Sequence, residues 1–448
     1  MSNREQTYDV VGIGFGPSNL SLAIALEEFG AHGMENEISS LFLERQPSFG
    51  WHRNMLLPSA TMQISFLKDL VTFRNPTSGF SFIAYLHASG RLPQFVNNQD
   101  FFPTRQEFHQ YLEWAQAQVA GRIEYGAEVT SIRLPSGTAP QEGADRLVLE
   151  VAEGAGRTGR AVEARNVVIS TGLVPSMPAG AERDERVWHS SEFLDKYRRT
   201  DHRELRRVAV VGAGQSAAEI ARFLYDELPH AQVSAIIPSY GYAVADDTPF
   251  ANRIFDPSAV DDYYFGTEQT RESFWRYHRN TNYSVVDDEV IRDLYRRSYD
   301  DEVRGVTRLQ LLNLTRVTGV KRAGAETRVS LQVGPDAELR ELDFDLLVCA
   351  TGYDGMEPTG LLGELDRYCL RDEAGRYRVE RDYRIVTTPE LRCGIYLQGG
   401  TEHTHGLTSS LLSNLAVRSG EIADSIIARR AGYGAEREVL AKIGGDIA

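Results

Sequence analysis

The chain has 448 residues, 42% of them apolar and 25% charged, the balance of a soluble globular protein with room for two or three domains. Its 48 Lys and Arg against 63 Asp and Glu leave a net charge of −15, a field that repels phosphate backbones and excludes nucleic acid as an expected partner. No apolar run approaches the roughly 20 residues of a membrane-spanning helix, residues 1–6 lack a signal peptide's apolar stretch, and Cys349, Cys369 and Cys393 form no CxxC pair. The expectation is a cytoplasmic protein without membrane, disulfide or metal.

The first element is Tyr8-Asp9-Val10-Val11, which runs into Gly12-Ile13-Gly14-Phe15-Gly16-Pro17 and then a helical pattern from Leu20 to Leu26. Strand, glycine turn and helix open a βαβ unit. At such a turn the glycines let the backbone approach a pyrophosphate, and the helix N-terminus supplies N–H groups and a positive dipole end. Pro17 stands where a third glycine would fall, and proline suits the first helical position. The second strand, Ser40-Leu41-Phe42-Leu43, ends at Glu44, a carboxylate placed to accept hydrogen bonds from an adenosine ribose; residues 31–37 read as an inserted loop before it. Residues 143–159 alternate small and charged side chains and read as a hairpin with exposed loops.

The same grammar recurs. Arg207-Val208-Ala209-Val210-Val211 leads into Gly212-Ala213-Gly214-Gln215-Ser216-Ala217, a helix from Ala218, and the strand Val233-Ser234-Ala235-Ile236-Ile237. Gly212, Gly214 and Ala217 match the GxGxxA variant, with Gln215 and Ser216 at the pyrophosphate. After that strand, Pro238-Ser239-Tyr240 offers no acid for a ribose 2′-hydroxyl and no arginine for a 2′-phosphate. Ser239 is the candidate contact, and NADPH is favoured with NADH left open. Two further strands end in small residues, at Ser170-Thr171-Gly172 and Ala350-Thr351-Gly352, and are expected to carry the chain between the folds. The expectation is an α/β protein with two Rossmann-like dinucleotide-binding domains. The first comprises residues 1–175 and 345–448, and the second, residues 176–344, is inserted in it, with a small, mostly helical substrate segment at 245–290. A flavin beside a nicotinamide site fits this plan. Disulfide reductases share it but need a redox cysteine pair, so oxygen is the simplest electron acceptor.

Longer blocks carry a resemblance: Phe49-Gly50-Trp51-His52, Met62-Gln63-Ile64-Ser65-Phe66-Leu67-Lys68-Asp69-Leu70-Val71, Arg74-Asn75-Pro76-Thr77-Ser78, Phe101-Phe102-Pro103-Thr104-Arg105-Gln106-Glu107-Phe108, Asp246-Asp247-Thr248-Pro249-Phe250-Ala251-Asn252, Thr281-Asn282-Tyr283-Ser284-Val285-Val286 and Thr404-His405-Gly406-Leu407-Thr408. Over nearly its whole length the chain resembles the N-hydroxylating flavin monooxygenases, specifically the L-ornithine N5-monooxygenases of hydroxamate-siderophore pathways. The resemblance implies FAD, NADPH, O2 and L-ornithine, a C4a-hydroperoxyflavin attacked by the neutral side-chain amine, N5-hydroxyornithine as product, and a homo-oligomer, tetramer or dimer. The alternatives are an L-lysine N6-monooxygenase or diamine hydroxylase of the same family, and an uncoupled NADPH oxidase.

By position, the resemblance places FAD against Gly12, Gly14, Gly16, Pro17, Glu44, Trp51 and His52, with Gln63 near the isoalloxazine and Val129 near the adenine. NADPH falls to Gly212, Gly214, Gln215, Ser216, Ser239, Asn282, Tyr283 and Ser284, and Ser410, Leu411 and Leu412 complete the cofactor set. Substrate contacts are Lys68, Asn252, Phe255 and Asn282, with a hydroxyl near the last helix placed at Ser413, or else at Thr408 or Ser410. Asn282 and Gln63 are the candidate catalytic residues. Pro238 replaces the arginine relatives carry for the cofactor's phosphate. Asn75, where lysine and diamine relatives tend toward an acid, leans to ornithine.

The residue types suit these roles. Lys68 is a cation in an apolar run, able to pair with an α-carboxylate, or else a structural or surface lysine. Asn252 and Asn282 offer donor and acceptor together, or else form turns. Asp246-Asp247 before Thr248-Pro249 reads as a turn and cap rather than an acid–base pair. His403 and His405 lack a third ligand. An alkylammonium of pKa about 10.4 is only about 0.1% neutral near pH 7.4, so the site must favour deprotonation of the substrate amine.

Overall fold

The computed structural model describes residues 7–31, 38–137, 143–153 and 159–445. Strand β1 (Thr7–Ile13) is buried on both faces, as the centre of a parallel sheet requires. It passes through the first glycine loop into α1 (Pro17–Ala31) and on to β2 (Ser40–Glu44). Residues 32–37 of the expected inserted loop lie outside the described residues. Helix α2 (Arg105–Gln116) starts at Thr104, whose hydroxyl accepts the Glu107 N–H. Then come β3 (Arg122–Tyr125), β4 (Ala127–Arg133), β5 (Leu147–Glu153) and β6 (Arg160–Ile169). The sheet order is β3-β2-β1-β6-β5-β4, with β1 parallel to β2 and β6 and β5 antiparallel to both neighbours. The hairpin expected within 143–159 is β5 turning back into β6; its residues 154–158 are outside the described residues.

The inserted unit follows, with β7 (Val187–His189), β8 (Arg207–Val211), α3 (Gln215–Glu227) and β9 (Gln232–Ile236). The next stretch is helical: Ala251–Phe255, Pro257–Tyr264, Glu268–His278 and α4 (Asp288–Val303). Two short parallel strands, Ala243–Val244 and Val285–Val286, bracket the part that matches the helical substrate segment read from sequence. Strand β10 (Leu309–Leu312), an antiparallel meander of Thr315–Ala323, Glu326–Val333 and Glu338–Phe344, and β11 (Leu346–Cys349) complete the unit. Its sheet is parallel throughout, in the order β10-β9-β8-β11-β7.

That order corrects one boundary. Leu346–Cys349 is wholly apolar, fully buried and paired with both β8 and β7, so it belongs to the inserted unit, and the chain returns after Cys349 rather than at 345. The two connectors then meet. Val174–Pro175 pairs antiparallel with Tyr353–Asp354, and the Ser176 N–H donates to the Gly352 carbonyl at 3.1 Å. Strand β12 (Gly394–Leu397) adds to the end of β6 in the first sheet, and α5 (Leu415–Gly445) packs Leu415, Ile422 and Ile426 into the same core as Leu20, Leu22 and Ile24 of α1. Each sheet carries a core on both faces. The three cysteines are buried free thiols, and no described helix is long and apolar enough to cross a membrane.

Candidate active site

The two glycine loops repeat the same main-chain bonds. Gly14 N–H donates to Leu43 O (2.8 Å) and Ser170 N–H to Ile13 O (2.8 Å); Gly212 N–H donates to Ile236 O (3.1 Å) and Ala350 N–H to Val211 O (2.8 Å). A Cβ on Gly14 (φ +83°) would stand 2.3 Å from the Ser170 carbonyl oxygen, and one on Gly212 (φ +140°) 2.3 Å from that of Ala350. These two glycines serve the chain's own packing, letting each loop touch the strand that leaves its unit. Gly12 does likewise against Phe42, where a Cβ would come within 2.4 Å. Gly16 is different: a Cβ there meets nothing within 4 Å. With Pro17 opening α1 behind it, this is where an anion can reach the helix N-terminus.

Glu44 is buried and pins the loop, accepting the Phe15 N–H (2.7 Å) on one carboxylate oxygen and the Gln46 N–H (2.8 Å) on the other. A carboxylate has about four acceptor positions, so a ribose hydroxyl can still be met. Trp51 stands edge-on to His52 (4.7 Å between ring centres) and packs against Phe108, while His52 is exposed in a left-handed conformation (φ 46°). Val129 is buried among Ile132, Leu149 and Val151, its side chain committed to the core.

A cavity of about 1960 Å³ runs from the second glycine loop to the paired connectors. Gln63, Gly212, Gly214, Gln215, Ser216, Asn282, Tyr283, Ser284 and Leu411 are all on its wall. Ser284 holds φ 59°, a conformation that non-glycine residues keep only where the surroundings enforce it, and its Cα lies 3.9 Å from where a Gly214 Cβ would be. Pro238, not Ser239, faces this space; the Ser239 hydroxyl donates to Gly241 O at 2.8 Å.

Lys68 sits on a turn held by its neighbour. The buried Asp69 carboxylate accepts the N–H groups of Val71 (3.0 Å), Thr72 (2.7 Å) and Phe82 (2.7 Å). The Lys68 ammonium lies over the Phe255 ring, and burial lowers its pKa, with Asp256 opposing the shift. Phe255 forms a small core with Ile254 and Leu407, against which Leu411 packs. Lys68, the 251–255 turn and the 407–411 segment therefore converge, and Leu411 connects them to the cavity. Asn252 lies in that turn and spends its amide NH2 on Asp247 O (2.6 Å). Thr408 and Ser413 are buried, Leu412 packs against the first unit's core, and the Ser410 side chain is outside the described residues.

Other sequence candidates have structural work. Asp246 accepts the Thr248 N–H (3.1 Å) and hydroxyl (2.7 Å), the expected turn. Asn75 donates to Glu28 (3.2 Å) and accepts from the Thr77 hydroxyl (2.8 Å). His403 and His405 bond the carbonyls of Tyr377 and Arg381, and the described residues contain no group of three metal-ligating side chains.

The sequence pattern of the L-lysine 6-monooxygenase/L-ornithine 5-monooxygenase family matches residues 6–355. The chain belongs to that family. It is 40% identical to the L-ornithine N(5)-monooxygenase of Burkholderia cepacia, covering 90% of each chain, and 38% identical to the L-ornithine N(5)-oxygenase of Arthrobotrys oligospora, covering 96% of this chain and 90% of that one. Among solved structures, the ornithine N-hydroxylase of Kutzneria sp. 744, described with FADred, NADP+ and L-orn, superposes with a TM-score of 0.91 at 62% identity, covering 95% of this chain and all of that one.

For a member of this lysine/ornithine monooxygenase family, sequence reading missed one residue on the cavity wall and one that holds two of its lining amides. Thr315 N–H donates to Ile237 O and Leu314 N–H to Ser239 O, both at 2.9 Å, which lays the meander's first strand beside the end of β9. Arg316 thereby shares the wall with Pro238 and Gly214. Asp287, which precedes α4, accepts from both Gln63 and Gln215. An arginine after an apolar strand and the first acid of the run Asp287-Asp288-Glu289 at a helix start carry no motif that would single them out.

Proposed function

We propose that this chain is an L-ornithine N5-monooxygenase, converting L-ornithine, O2 and NADPH with one proton into N5-hydroxyornithine, water and NADP+. The likeness to the Kutzneria hydroxylase, across nearly the full length of both chains, carries the reading. FAD fits the first loop, where the open side of Gly16 and the start of α1 receive the pyrophosphate and Glu44 the ribose. NADPH fits the second, with Gln215 and Ser216 at its pyrophosphate, Asn282–Ser284 opposite and Arg316 beside the end of β9. When bound, the pair supply hydride transfer and the activation of oxygen.

The chain's own groups then bind, orient and shield. Lys68 meets the α-carboxylate of the amino acid, a group that a diamine lacks. Asn252 and Asn282 present amides to the rest of the substrate, and Asn282 also faces the nicotinamide cofactor. Phe255, Leu407 and Leu411 form an apolar wall that keeps water out and disfavours the charged form of the side-chain amine. In this reading the enzyme is cytoplasmic, assembles as a homo-oligomer and serves hydroxamate-siderophore assembly.

The test offers FAD-loaded protein ornithine, lysine, putrescine and cadaverine in turn, and measures hydroxylamine formed against NADPH and NADH consumed. Hydroxylated ornithine driven by NADPH is expected. Product from lysine or a diamine instead would overturn the substrate, and hydrogen peroxide with no hydroxylamine would make the protein an oxidase.

A further inference from the structure

One carboxylate holds a cavity-facing amide from each unit. Asp287 Oδ1 accepts from Gln63 Nε2 (3.1 Å), and Oδ2 accepts from Gln215 Nε2 (2.9 Å). The Asp287 N–H donates back to Gln215 Oε1 (2.9 Å). Gln63 belongs to the first unit and Gln215 to the second glycine loop, and both line the same cavity. A primary amide has two unlike ends, and the partner of one end decides which end faces a ligand. An ionised carboxylate can only accept, so it turns both NH2 groups toward itself. For Gln215 both ends are then engaged, since its NH2 also reaches Glu219 (3.0 Å). For Gln63 the end not engaged by Asp287 is the carbonyl oxygen.

We propose that Asp287 is a positioning residue that fixes the Gln63 amide with its carbonyl oxygen toward the cavity, and so sets how much of the NADPH consumed ends in hydroxylated amine rather than hydrogen peroxide. This rests on the reading of the chain as an ornithine monooxygenase. The expected pH dependence follows from the surroundings. Burial raises the pKa of Asp287, the charges of Glu219 and Asp247 add to the rise, and the hydrogen bond from Gln63 and the charge of Arg105 oppose it. Protonation on acidification therefore begins above the ordinary carboxylate range near 3.9. A protonated Asp287 carries a donor on one oxygen, which opposes the NH2 groups it faces and favours turning one of the two amides. Coupling is full above that pKa and falls as pH drops through it.

The experiment compares the wild-type holoenzyme with Asp287→Asn and Asp287→Glu. The Asp287 side chain makes no cap bond at the start of α4, so asparagine removes none there and the fold should persist. Three quantities are measured: hydroxyornithine formed per NADPH, the rate of flavin reduction by NADPH, and the acid limb of the coupling ratio. Asp287 also touches Gln215, so Asp287→Asn can weaken NADPH binding. It should reach the wild-type limiting rate of flavin reduction at saturating NADPH, yield several-fold less product per NADPH, and lose the acid limb. Asp287→Glu, still only an acceptor, should recover most of the coupling. Wild-type coupling in Asp287→Asn, or equal losses in flavin reduction and coupling, would overturn the assignment. A wild-type enzyme that hydroxylates no ornithine would instead overturn the reading beneath it.

Discussion

The Lys68 ammonium lies 5.2 Å from the centre of the Phe255 ring, a contact that sets a cation of the first unit against an aromatic of the inserted one. Replacing Lys68 with alanine should lower the apparent affinity for ornithine about ten- to hundredfold, the value of about 1.5–3 kcal/mol for a hydrogen bond to a charged group. Flavin reduction by NADPH, measured by stopped flow without ornithine, should stay near wild type, and equal losses in both would remove Lys68 from the substrate site. Because burial lowers its pKa, Lys68 loses charge at a lower pH than an ordinary lysine near 10.4. Ornithine affinity should therefore be full below that point and decline as pH rises through it. Lys68→Arg, which stays charged, should flatten that alkaline decline in kcat/KM.

Gly14 and Gly16 lie in one loop but should fail differently. Alanine at Gly14 drives a Cβ into the Ser170 main chain, so Gly14→Ala should lower the melting temperature or prevent folding. Alanine at Gly16 meets open space, so Gly16→Ala should keep the wild-type circular dichroism yet purify with little FAD. A fully flavinylated Gly16→Ala protein would take the pyrophosphate away from that residue.

The two units are also joined by a buried ion pair. Arg105 makes two bonds to Glu219 (2.8 and 2.9 Å) and a third to Met55 O (2.8 Å), and Glu219 is 2% exposed. Removing the arginine leaves that carboxylate buried and unpaired by its guanidinium. Arg105→Ala should cost about 3–5 kcal/mol in chemical denaturation. A change below 1 kcal/mol would mean that water reaches Glu219 in solution.

Arg316 is the cation beside Pro238 on the cavity wall. If it meets the 2′-phosphate, Arg316→Ala should raise the dissociation constant of 2′,5′-ADP about tenfold, as loss of one charge-assisted bond implies. Binding of 5′-ADP should be unchanged. Equal weakening of the two nucleotides, by calorimetry, would assign Arg316 to the adenine or pyrophosphate instead.

Local grammar was legible in the sequence. Both strand–glycine–helix openings fall where the residue pattern places them, and β9 differs by one residue, Gln232–Ile236 against an expected 233–237. Those signals sit within a few residues of one another. Sheet membership does not: Leu346–Cys349 has the same apolar run and small-residue ending as the end of β6, and only its distant partners β8 and β7 assign it to the second sheet. The substrate side divides in the same way. Lys68 and Phe255, both expected on the substrate side, meet as a cation over a ring, whereas Arg316 reaches the cavity wall, and Asp287 the Gln63 and Gln215 amides on it, through contacts that no spacing announces.

The ribbon formed by Val174–Pro175 and Tyr353–Asp354 brings the inserted unit's exit and return to a single point on the first unit. A segment with adjoining ends behaves as a cassette: it can be gained or lost in one event without stretching its host, and each part can find its own core before the other has formed. The join is a doubled strand rather than two separate threads, so any swing of the inserted unit turns about one axle.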